Sequence, residues 1–226
     1  MLTPSLSAHY GSDRHGLVCG FLFPANAPSR SISLDEALAW LAATAAATPA
    51  ATPVAIPAAT PVAAPGGFLW LHFNLADASA EAWMRANLSL APEYFEALHE
   101  GSRSTRIEDA SDQLVAVIND VAYEFSFDPS EIASLWLTVN SGLAVTARTQ
   151  PLRSIDRLRQ AVREGGHFES SVALLNHLLR DQGDVLVRIV RDATLQVDSA
   201  EDKLATGKAQ QKRAALGKLR RVLVRL

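Results

Sequence analysis

Leu135-Trp136-Leu137-Thr138-Val139-Asn140-Ser141-Gly142-Leu143-Ala144-Val145-Thr146-Ala147-Arg148 holds two apolar runs of strand length on either side of a polar Asn-Ser-Gly step. Asparagine and glycine supply the backbone freedom of a tight turn, so Glu131 to Asn140 and Leu143 to Arg148 are read as strands paired antiparallel. Upstream, Gln113 to Phe125, Phe68 to Phe73 and Leu17 to Phe23 are further strand candidates. Helix signals lie between them. Ser33, with Glu36 three residues on, forms a capping box that opens a helix over Leu34 to Ala43. Short helices are expected at Ser79 to Asn87, capped by Ser79, and at Pro92 to Glu100, where proline suits the first turn. Together these predict an α/β layer with a mixed sheet and flanking helices over residues 1–150.

Beyond Pro151 the chain has no further proline and reads as helical to Leu226. Val172, Leu175, Leu179, Leu186, Ile189 and Ala193 fall on one helix face, and Leu174, Leu178 and Val185 widen it. After a polar break at Thr206-Gly207-Lys208, Leu216, Leu219, Leu223 and Leu226 resume the stripe at coiled-coil spacing. At least two long amphipathic helices are expected, and most of their stability must come from a packed face. The pattern is still running at Leu226, so residues 151–226 are read as a helical arm that breaks off before its continuation.

Charge divides the chain. The formal net charge is -3, yet residues 201–226 carry eight Lys or Arg against Glu201 and Asp202, which leaves the remainder at -9. A solvated helix face accounts for the basic end; an anionic membrane or an acidic partner surface are the functional alternatives. Nucleic acid is not expected as a partner, because no aromatic residue is interleaved with the basic ones to stack bases. The single cysteine, Cys19, excludes an internal disulfide and sits in an apolar strand, where a buried inert thiol is expected. The amino terminus has no signal-peptide pattern.

Residues 37–76 contain no charge, but Pro49, Pro53, Pro57, Pro61 and Pro65 recur every four residues. A proline in each turn rules out a spanning helix. The Pro/Ala-rich stretch at 48–67 is read as a low-complexity insertion within the α/β domain.

The chain carries no nucleophile elbow, phosphate loop, dinucleotide fingerprint or His-Glu-x-x-His, so an enzyme is not expected. His72, inside an apolar strand, is read as a hydrogen-bonded structural residue. Glu164, His167, Glu169 and His177 offer nitrogen and oxygen donors of the kind a divalent metal ion takes, and they are the candidate ligands. Their spacing matches no ligand signature, and a solvated helix junction is the alternative reading.

The run Phe68 to Asn74, then Leu114 to Val121, then Leu135 to Arg148 followed by Pro151-Leu152-Arg153-Ser154-Ile155-Asp156, resembles the cytoplasmic domain of CorA-type divalent cation transporters. It is most similar to the zinc-transporting ZntB branch, to which Leu219-Arg220-Arg221-Val222-Leu223 is also similar. Two features depart from the family: Arg103-Ser104-Thr105-Arg106 lacks the proline of a basic element often found there, and the proline-rich insertion is unusual. The resemblance implies the funnel domain of a homopentamer of identical subunits at the cytoplasmic face of the inner membrane. The stalk and membrane helices are expected outside this chain, and zinc or magnesium is expected as transported or regulatory ion with no resident cofactor. The competing expectation is a soluble regulatory or protein-interaction module that oligomerises through its C-terminal helices.

Overall fold

The structure, a computed structural model, describes residues 11–47, 66–100, 105–122, 125–126, 128, 131–204 and 210–225. Most of the proline-rich insertion (48–65), the Arg103-Ser104 step, the Thr206-Gly207-Lys208 break and Leu226 lie outside the described residues. In chain order the elements are β1 (Leu17–Phe23), β2 (Arg30–Ser31), α1 (Leu34–Ala47), β3 (Phe68–Asn74), α2 (Ser79–Asn87) and α3 (Pro92–His99). They continue with β4 (Arg106–Ala110), β5 (Gln113–Val121), β6 (Ile132–Val139), β7 (Leu143–Arg148), α4 (Arg153–Arg163), α5 (Ser171–Leu204) and α6 (Gln210–Arg225).

The strands form one sheet in the order β2-β1-β3-β7-β6-β5-β4. Leu69 to Asn74 pair in parallel with Leu143 to Arg148, and every other neighbouring pair is antiparallel. The expected mixed sheet is therefore present. The β6–β7 hairpin closes as read: Asn140 Oδ1 accepts the backbone N–H groups of Gly142 and Leu143 at 3.0 and 2.8 Å. Side chains alternate between two cores, as the period-2 pleat requires. Leu69, Leu71, Phe73, Val115, Val117, Val145 and Ala147 face the layer of α1, α2 and α3. Phe68, Trp70, Ala116, Ile118, Leu135, Leu137 and Ala144 face α4 and the first turns of α5. Burial on both sides explains why the central strands read as nearly continuous apolar runs.

The capping box at α1 is as expected, with Ser33 N donating to Glu36 Oε2 at 2.9 Å and Glu36 N donating to Ser33 Oγ at 3.3 Å. Ser79 is not the cap of α2. It is the first helical residue, and Asp77 Oδ1 accepts both its N–H at 3.0 Å and its hydroxyl at 2.8 Å. A carboxylate outcompetes a hydroxyl as acceptor at a helix N-terminus because it also complements the dipole. At the end of α4 the Gly165 N–H bonds the Val162 carbonyl and the Gly166 N–H bonds the Ala161 carbonyl. Gly165 has φ +91; this is a Schellman stop, which needs a residue free to enter the left-handed region. Gly67 enters β3 at φ +106, where an added Cβ would lie 1.9 Å from the Phe23 carbonyl oxygen.

Three helices follow β7. On α5, Leu175, Ile189 and Ala193 of the expected face are buried, together with the flanking Leu174, Leu178 and Val185, whereas Val172, Leu179 and Leu186 are only half-buried. The contact face thus takes in half of the expected stripe and is shifted toward the residues that the spacing treats as its margin. On α6, Leu219 and Val222 are buried while Leu223 is 44% exposed, so the expected Leu219–Leu223 seam is displaced by one residue. α6 rests beside α5, and Lys218 Nζ reaches Asp128 Oδ2 at 3.2 Å.

Candidate functional site

The four residues expected as metal ligands occupy the α4–α5 junction and the second turn of α5. Glu164 is the C-cap of α4 and accepts a hydrogen bond from Gln160 Nε2 at 2.8 Å. His167 and Glu169 are exposed on the connection. His177 is half-buried, with Nε2 at 3.6 Å from Asp181 Oδ2 and its ring edge-on to Phe168 at 5.2 Å. Among the described residues, no three His, Cys, Asp or Glu side chains converge as a metal-binding group.

Beneath α4 lies a buried polar cluster on the second sheet face. Trp70 Nε1 donates to Thr146 Oγ1 at 2.9 Å, and the same hydroxyl lies 2.9 Å from His72 Nδ1. The hydroxyl proton is thereby available to Nδ1. Burial pushes the His72 pKa well below its ordinary 6.5, and Arg148 and Arg159 add to the effect. The ring is a neutral structural group, as its apolar strand implied. Cys19 pairs directly across from His72, and burial pushes its thiol up to about 11 against the opposing influence of Arg159, Arg163 and Arg148. A protonated thiol is a poor nucleophile and a poor ligand.

This cluster has a measurable signature. A histidine held neutral in the fold but free to protonate in the unfolded chain favours the folded state above pH 6.5, and that contribution is lost as the pH falls below it. Unfolding free energy is expected to drop by about 1.4 kcal/mol per pH unit from this group alone. Denaturant titrations between pH 7 and 5 on His72→Gln should show that slope reduced relative to the parent chain.

Around the tip of the hairpin, the β4–β5 and β6–β7 turns border an open cleft of about 960 Å³, lined also by Trp40, Leu41 and Val172. Its described lining includes Asp109 and Asp112 and no Lys, Arg or His. Such a surface attracts cations by its field, without fixed coordination.

The buried polar contacts that sequence reading missed lie where the helices meet the end of β5. Asp120 is buried, and its Oδ2 accepts the backbone N–H of Ser154 at 3.0 Å and also the Ser154 hydroxyl. Gln182, on α5, donates through Nε2 to the Asn119 carbonyl. Val121 packs with Val185 and Ile189, alongside Phe125 and Ile132. An acid inside an apolar strand and a glutamine on an apolar helix face were the available signals.

Residues 65–226 match the CorA-like Mg2+ transporter protein family. The chain belongs to this family. It is a transporter family, not an enzyme family. The divalent cation transporter CmaX of Pseudomonas aeruginosa is 25% identical over 142 residues, covering 61% of this chain and 42% of that protein. The full-length CmaX structure shares the fold with a TM-score of 0.69 at 18% identity, covering 95% of this chain and 62% of that one. The cytoplasmic domain of ZntB from Vibrio parahaemolyticus gives a TM-score of 0.50 at 15% identity, over 92% of this chain and 89% of that domain. The soluble domain of CorA from Methanocaldococcus jannaschii gives 0.57 at 17% identity, over 70% of this chain and 64% of that one. The chain spans less than two thirds of the length of CmaX. Among the described residues of this CorA-like chain, no helix is long and apolar enough to cross a membrane.

Proposed function

We propose that this chain forms the cytoplasmic funnel domain of a divalent metal ion transporter, with zinc as the ion and magnesium as the alternative. The family match over residues 65–226 carries the reading. The acidic remainder of the chain, including Asp109 and Asp112 at the cleft, raises the local concentration of cations electrostatically. The long helices pass changes in ion occupancy to the pore of the whole transporter, in which identical subunits assemble as a pentamer. The preference for zinc rests on the likeness of the quoted strands to the ZntB branch.

Calorimetric titration of the chain with zinc and with magnesium tests the binding component. Zinc is expected to release heat and raise the melting temperature. A ligand at one hundred times its dissociation constant stabilises the folded state by about 2.7 kcal/mol. No heat and no thermal shift with either ion would overturn ion handling by this domain.

A second reading, a regulatory or interaction module that assembles through its C-terminal helices, is favoured by exposed apolar residues on α5. Val187, Val190 and Leu195 are 50%, 54% and 66% exposed. Light scattering with and without metal separates the two: concentration-dependent assembly indifferent to divalent ions supports the module.

A further inference from the structure

A field attracts every cation alike, but the cleft around the hairpin tip offers more than a field. Its lining runs from the last turn of α1, at Thr44 and Ala45, past the β6–β7 and β4–β5 turns to the start of α5 at Val172. Asp109 faces Leu114 across the β4–β5 ladder, so a carboxylate stands beside an apolar floor that Leu143 and Leu175 continue. Asp112 follows in the turn. Among the described residues neither aspartate is paired with a basic side chain, whereas the adjoining Glu108 holds Arg106.

On the α1 side the cleft favours positive charge by other means. The C-terminal end of a helix carries partial negative charge, and the last turn of α1 has no basic residue to neutralise it. Trp40, half-buried one turn earlier, also lines the cleft, and indole is the aromatic ring that attracts cations most strongly. Two cation-favouring places, from different elements, are thus joined by apolar surface. The volume of about 960 Å³ is of the size that holds a small organic molecule.

We infer that this cleft binds an aliphatic polyamine, a linear cation whose ammonium groups are spaced by methylenes. Its charged ends pair with Asp109 and Asp112 on one side and with the Trp40 face and the end of α1 on the other, while the methylenes cover the apolar floor. A metal ion uses the charge alone. It takes several oxygen donors converging on one point, and no three His, Cys, Asp or Glu side chains converge so among the described residues. The inference rests on the cleft and not on the transport reading.

The test holds charge constant and varies the apolar length. A buried methylene contributes up to about fourfold in affinity, so trimethylenediamine and octamethylenediamine, both doubly charged at neutral pH, separate the floor from the field. In calorimetric titrations of the whole chain at fixed ionic strength, octamethylenediamine is expected to bind at least about tenfold more tightly than trimethylenediamine. Asp109→Asn combined with Asp112→Asn, both exposed positions, is expected to weaken the longer diamine about fivefold or more. In the parent chain the nuclear resonance of the Trp40 indole N–H, identified by its loss in Trp40→Phe, is expected to move as the diamine is added.

Equal affinities for the two diamines would overturn the inference, because the field alone would then account for binding. An unaffected double variant, or a Trp40 signal that stays in place while the diamine binds, would overturn it as well. Binding of magnesium without binding of octamethylenediamine would overturn it and leave the metal reading standing.

Discussion

Trp70→Ala is expected to cost about 3–5 kcal/mol of folding free energy, the range for removing a fully buried large aromatic side chain. Trp70 is 0% exposed and lies on the central strand β3, so no neighbouring loop is available to collapse into the space. Its ring stacks on Phe21 with centroids 5.6 Å apart and planes at 20°. The indole N–H ends on Thr146, whose hydroxyl also faces His72. Alanine removes the aromatic surface, opens a cavity between β3 and the α4 layer, and leaves Thr146 without its donor. Trp70→Phe separates these contributions. It keeps most of the stacking and loses the N–H, for which about 1–2 kcal/mol is expected, including the volume change. Urea denaturation of the two variants with unchanged m-values checks both figures. Equal costs for phenylalanine and alanine would place the whole effect in the hydrogen bond.

Much of the fold was legible because its signals are local. The Asn140-Ser141-Gly142 turn and the Ser33–Glu36 box each complete themselves within four residues, and the structure closes both as the sequence implied. The two edge strands were not legible. Arg106–Ala110 carries Arg, Glu and Asp on three of its five positions, and Arg30–Ser31 is too short to show alternation. Both owe their existence to pairing with β5 and β1, and charge on an edge strand guards the open side against further pairing. β5 was expected to run to Phe125 but stops at Val121. Beyond it the Glu131 carboxylate accepts from Ser126 N and Oγ and from Asp128 N, and these bonds hold a loop in place of a ladder.

The helical tract shows the same division between local and tertiary information. Periodicity identified a buried stripe on α5, but periodicity has no origin, and only the packing of Leu174 and Leu178 against the sheet settles where the centre of the stripe falls. The candidate metal residues were grouped by closeness in sequence. The Schellman stop at Gly165-Gly166 then turns the chain between Glu164 and His167, and His177 faces Asp181 on its own helix. Asp120 could not be read as a helix cap, since its partner Ser154 is 34 residues away and on another layer.

Asp120→Ala is expected to cost about 3 kcal/mol, because it leaves the buried Ser154 N–H and hydroxyl without an acceptor. For a chain of this length that corresponds to a fall in melting temperature of roughly 6–12 °C. Asparagine discriminates between lost hydrogen bonds and lost charge. Its amide oxygen takes the Oδ2 position and keeps both Ser154 bonds, giving up only the contact between Oδ1 and the adjoining Val121 N–H. The pH dependence fixes the sign. Burial raises the Asp120 pKa above its ordinary 3.8, and the bonds from Ser154 and Val121 with the nearby Arg153 only partly offset this. Its contribution to stability is therefore fully present below pH 3.8 and is lost as the pH rises through the raised value. The cost of Asp120→Asn, measured against the parent chain, should be largest in acid and shrink toward neutrality, opposite in direction to the His72 contribution. A cost of Asp120→Asn that grew with pH would mean that the ionised carboxylate stabilises this junction, with its pairing to Arg153 and the helix dipole outweighing burial.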